Sequence, residues 1–128
     1  MPPENSSVLL AWSRFERLTA ARAAFKLIPC LYVQTDASRQ ILRIGKAGEG
    51  LESRYRGGTG YALDAAMYGS GNLVFVAAPD TPAFLDDLER QLLVDERPRY
   101  NNQFPPPTRR FRIRHTGDVP HFRETGIE

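Results

Sequence analysis

The sequence predicts a small α+β domain, a three-stranded antiparallel sheet flanked by helices. Two short runs rich in strand formers, Cys30 to Gln34 and Gln40 to Ile44, are separated by the turn signal Asp36-Ala37-Ser38 and read as a hairpin. A third run, Leu73 to Ala78 (LVFVAA), is continuously apolar, as a central strand buried on both faces must be. The segments around these strands carry helical periodicity.

In chain order, residues 5 to 27 read as helix. Val8, Trp12, Phe15, Leu18, Ala21 and Phe25 recur at steps of three or four, Ser6 or Ser7 offers a cap, and Pro29 ends it. After the hairpin, Gly48 to Arg56 reads as a short helix with Leu51 inward, Gly57 to Gly60 as a loop, and residues 61 to 68 as a further helical turn or two. Thr81-Pro82 opens the clearest helix, with threonine suited to the N-cap and proline to the first helical position. That helix runs to about Asp95 or Glu96, before Pro98. FPPPT at 104 to 108 is an extended linker, and RRFRIRH at 109 to 115 reads as an edge strand. The last ten residues are expected to be loose. The expected division is an N-terminal helical extension (1–28), a central domain (29–103) and a proline-led basic tail (104–128).

A length of 128 residues suggests one core. No apolar run reaches the length of a membrane span, and the start lacks the basic and apolar regions of a secretory signal, so a cytoplasmic protein is expected. The single Cys30 excludes an internal disulfide framework. With only His115 and His121 beside it, a zinc site of the usual spacing is excluded too. The net charge is +2, but of 17 basic residues only Lys26 and Lys46 are lysine. Arginine holds phosphate in a two-pronged geometry, although a GC-rich coding sequence would give the same bias.

One carboxylate stands apart. On the helix after Thr81, Phe84, Leu85, Leu88 and Leu92 form an apolar stripe, and Glu89 falls on its flank. A glutamate there is expected to face a cation, either an arginine or a metal. The plainer alternative is a rim glutamate reaching water.

Taken together, several short motifs resemble the GIY-YIG nuclease family, and the nuclease domain of bacterial excision-repair endonucleases in particular. They are Cys30-Leu31-Tyr32, then Arg43-Ile44-Gly45-Lys46-Ala47, then Leu51-Glu52-Ser53-Arg54, then Glu89 with Leu92-Leu93, then Pro98-Arg99-Tyr100-Asn101. The resemblance covers roughly residues 29 to 102. It implies a divalent-metal-dependent endonuclease acting on DNA. Glu89 would hold Mg²⁺ or Mn²⁺, Arg54 the scissile phosphate, and Tyr32 the attacking water. Lys46 would contact phosphate or favour the phenolate, Asn101 would fix the helix end, and Gly45 would let backbone approach the ligand. Arg43 stands where the family has its second tyrosine, and Tyr32, Tyr55 or Tyr61 would supply the missing phenol. Each residue also has a structural reading: Tyr32 as packing, Lys46 as a solvated turn residue, Arg54 as a partner of Glu52 or Glu89, Asn101 as a turn residue.

Arg43 and Arg56 are expected to add to a nucleic-acid surface. In the tail, alternation would place Arg110, Arg112 and Arg114 on one strand face, a row suited to a phosphate backbone or, equally, to a charged edge that resists aggregation. His115 and His121, in the basic tail, are read as surface residues or, at most, as DNA contacts. Three readings follow: a DNA endonuclease, a catalytically impaired nucleic-acid-binding module on the same fold, and a subunit whose arginines meet an acidic protein. A homodimer or partner would supply sequence specificity.

Overall fold

The computed structural model describes residues 7–51 and 71–123. Its sheet has five strands: β1 (Ser7–Phe15), β2 (Cys30–Thr35), β3 (Ile41–Ala47), β4 (Leu73–Ala77) and β5 (Arg112–Gly117), in the order β3-β2-β4-β1-β5. Helix α1 (Leu18–Ala24) follows β1, and α2 (Leu85–Glu96), entered through a 3₁₀ turn at Pro82–Phe84, follows β4. The expected three-stranded sheet is therefore corrected to five strands. The expected hairpin and central run pair antiparallel as β3-β2-β4, and β1 and β5 extend them on the far side of β4.

The largest correction is at the N-terminus, where a nine-residue strand replaces the first half of the expected helix. In SVLLAWSRF the buried residues are Val8, Leu10 and Trp12, and the residues between them are exposed. Val8, Trp12 and Phe15 fit a helical step as well as an alternating one. The alternation wins because Leu10, absent from the helical stripe, is fully buried between α2 and the sheet, while Leu9 is 47% exposed. Burying one such leucine contributes about 2 kcal/mol, more than helix propensity can offset at one position.

Each face of the sheet has its own cluster. On one, α2 lays Leu85, Leu88, Leu92 and Leu93 on Leu10, Trp12, Val33, Ile44 and Phe75. On the other, Ala21 of α1 joins Cys30, Tyr32, Ala47, Leu51, Val74 and Val76. β4 is buried throughout, as its unbroken apolar run requires. Asp36 shapes the hairpin turn, its Oδ1 accepting from Ser38 N and Gln40 N at 2.9 and 3.0 Å.

Residues 119–122, expected to be loose, are anchored. Asp118 N donates to Trp12 O, His121 N to Arg39 O, and Phe122 is buried in the α2-side cluster. Gly117 closes β5 with φ +84°, and a β-carbon there would run into the carbonyl oxygen of Trp12.

Candidate functional site

The structure divides the expected catalytic residues between the two faces of the sheet. Tyr32 pairs across the ladder with Gly45 and points toward α1, fully buried. Its ring lies on Gly45: a β-carbon there would stand 2.5 Å from both the Tyr32 hydroxyl and the ring carbon that bears it. The glycine thus admits a close approach, but the visitor is a tyrosine from the same sheet. Arg43, opposite Gln34, shares that face and is half-buried.

Lys46 and Glu89 lie on the opposite face. Alternation along β3 turns Lys46 toward α2, where its Nζ reaches Asp86 Oδ1 at 2.9 Å and Glu89 Oε1 at 3.7 Å. The Glu89 side chain is only 17% exposed, and among the described residues the cation it faces is Lys46. Asp86 also pairs with Arg90 at 3.1 Å, one helical turn on. The hydrogen bond from Lys46 holds the Asp86 carboxyl below its ordinary range; burial opposes this, and the charges of Lys46 and Arg90 assist it.

This donor set fits a divalent metal poorly. A protonated amine already sits against both carboxylates, and among the described residues no group of three or more His, Cys, Asp or Glu is arranged to hold a metal ion. Arg54, Arg56, Tyr55 and Tyr61 lie outside the described residues.

Asn101 has a different task from the expected one. Its Oδ1 accepts from Ile44 N and its Nδ2 donates to Ile44 O, both at 3.0 Å, while Tyr100 N donates to Leu42 O. The side-chain amide imitates a neighbouring strand and covers the outer edge of β3. At the other edge Gln91 does the same for the residue before β5: its Nε2 donates to Phe111 O at 2.9 Å and its Oε1 accepts from Phe111 N at 2.8 Å. Gln91 belongs to a row the sequence reading missed. Asp87, Gln91 and Asp95 stand four residues apart on α2 and hold, in turn, Thr108, Phe111 and Arg110. The signal in the sequence is three polar acceptors at i, i+4 and i+8 along one flank of the apolar stripe.

Arg110 is therefore committed to Asp95, at 2.7 Å, and precedes the strand instead of sharing its face with Arg112 and Arg114. Several other arginines lie over aromatic rings: Arg97 over Phe104, Arg99 over Tyr100, Arg109 over Phe84. Arg112 and Arg114 differ. Both are exposed on the outer strand β5, two residues apart, beside Ser7 and Leu9 of β1, and the structure gives neither an acidic partner among the described residues.

Between those arginines in sequence, Ile113 and His115 turn toward the α2 face. His115 is half-buried. Its Nδ1 accepts from Trp12 Nε1 at 2.9 Å, and its ring stacks on Phe122 with centroids 4.3 Å apart and planes at 23°. Burial pushes its pKa down to about 4. Cys30, buried between sheet and α1, has its thiol pushed up to about 12, which leaves it without nucleophilic character near neutrality.

Compared with protein-family models, with characterised proteins and with solved structures, the chain finds no match. The geometry alone carries the functional reading. Among the described residues no helix is long and apolar enough to cross a membrane.

Proposed function

We propose that the chain is a nucleic-acid-binding module that contacts phosphate through β5. The observation that carries this reading is the pair Arg112 and Arg114. Several other guanidiniums are spent on carboxylates or aromatic rings, while these two stand exposed two residues apart on one edge strand, a spacing that offers paired donors to an anion. The hydroxyls of Ser7 and Thr116 lie on the same strand pair and are exposed, so they extend a polar, cationic surface. The placement of Tyr32 favours binding over hydrolysis. A fully buried phenol on the α1 side cannot orient a water for a phosphate held near Glu89 on the α2 side.

A second reading, a Mg²⁺- or Mn²⁺-dependent DNA endonuclease, draws support from the inward position of Glu89 beside Lys46. One experiment separates the two. Labelled single-stranded, double-stranded and branched DNA are incubated with the protein at low salt, with and without Mg²⁺ or Mn²⁺, and both binding and strand scission are recorded. The binding reading expects complexes without scission, unaffected by Glu89→Gln. Metal-dependent scission lost in Glu89→Gln would instead establish the nuclease, and absence of affinity for every DNA form would remove both.

A further inference from the structure

β5 and the segment that follows it border a groove of about 650 Å³. One wall is the strand itself, from Arg112 to His115. The other is the returning segment Val119 to Phe122, fixed across the sheet by the backbone bonds of Asp118 and His121. The volume is in the range of small-ligand sites. Its lining is uneven in a useful way: Ile113, Val119 and Phe122 are apolar, His115 is aromatic and polar, and Arg112 and Arg114 supply charge.

We infer that this groove receives an unpaired base of a single-stranded nucleic acid, with the neighbouring phosphates on Arg112 and Arg114. The inference rests on the nucleic-acid reading above and specifies which form of nucleic acid the surface takes.

Three features point the same way. First, the wall is pre-built. Trp12, His115 and Phe122 pack as a cluster of three rings with centroids 6.1, 4.3 and 5.6 Å apart, so no side chain has to be ordered when a flat ring enters. Second, the imidazole has a defined tautomer. Because Nδ1 accepts the indole proton, the neutral ring carries its own proton on Nε2, a donor for the carbonyl or ring-nitrogen acceptors along a base edge. Third, the two arginines are separated by about 6.6 Å of strand rise, comparable to one step of an extended sugar–phosphate chain. A paired base presents only its edge from inside a stack and cannot enter such a groove, whereas a base of a single strand can turn in.

Trp12 is the sole tryptophan and touches the groove through His115, so its fluorescence reports occupancy. The test titrates the full chain with four probes at one low salt concentration: oligo-dT of about 12 nucleotides, an abasic strand of equal length, a duplex of equal length, and a polyglutamate peptide. Oligo-dT is expected to change the Trp12 emission and to bind about tenfold more tightly than the abasic strand. In Arg112→Ala/Arg114→Ala, whose changes are confined to exposed side chains, affinity should fall for oligo-dT and abasic strand alike. Equal affinity for oligo-dT and abasic strand, with unchanged emission, would overturn the base pocket while leaving nucleic-acid binding intact. Preference for the duplex, or full competition by polyglutamate, would also overturn it. Failure of every nucleic-acid probe to bind would remove the inference together with the reading beneath it.

Discussion

At the scale of single residues, Gly45 and His115 show how a chemical motif and a packing motif can share one spelling. A glycine closing a strand beside lysine invites a ligand, but here the space is filled by Tyr32. Gly45→Ala is expected to cost about 1–3 kcal/mol in urea unfolding, the usual penalty for overpacking. The cost should shrink in a Tyr32→Ala background, and additive effects would show that the two do not touch. His115 gives a pH prediction. Its pKa is near 4 in the fold against an ordinary 6.5, so between those values the unfolded chain binds a proton that the folded chain refuses. Stability present above pH 6.5 is therefore lost as the pH falls toward 4, by at most about 1.4 kcal/mol per pH unit. His115→Gln should flatten this acid limb in equilibrium unfolding. Neither role was legible beforehand, because both depend on a partner distant in sequence: Trp12 lies 103 residues from His115.

At the scale of elements, α2 acts as a clamp between the two edges of the sheet. Its leucine row fills the core, Asp86 and Glu89 reach Lys46 on β3, and Asp87, Gln91 and Asp95 hold the approach to β5. Gln91→Ala would leave the N–H and C=O of Phe111 without their partners in a buried setting. A loss of about 2–4 kcal/mol is expected by thermal or urea unfolding, with weaker nucleic-acid binding because β5 is no longer held. A loss below about 0.5 kcal/mol would mean water replaces the amide without penalty. Thr81-Pro82 opens the 3₁₀ turn before this helix and Thr81 makes no side-chain cap, whereas the leucine row was plain in the sequence because local chemistry dictates it. So was β4, whose apolar run has one physical reading. β1 was not, since Val8, Trp12 and Phe15 satisfy two periods and only the sheet that receives them decides. The edge amides Asn101 and Gln91 were hidden for a related reason: which backbone they complete depends on strand order.

For the whole molecule, the arrangement places chemistry at the two edges and a hydrophobic cluster on each face of the sheet between them. Sequence reading recovered the central hairpin, β4 and α2, and the basic stretch at 109–115, but gave a sheet two strands too small. Of the two added strands that form the proposed binding surface, β5 overlaps the stretch read as an edge strand and β1 was read as helix; their parallel pairing joins residues more than a hundred apart. The expected catalytic set was split by the simplest rule of strands, that neighbours point to opposite faces, once Tyr32 and Lys46 were fixed in one ladder. Binding through β5 has an electrostatic signature that packing cannot imitate. The decisive measurement is the affinity for oligo-dT as a function of salt, for the wild type and for Arg112→Ala/Arg114→Ala. Each phosphate contact contributes about 0.7 to the slope of log K against log salt for a single strand, so the double variant should lose about 1.4 of that slope. A variant with the wild-type slope would place the phosphates elsewhere and contradict the account.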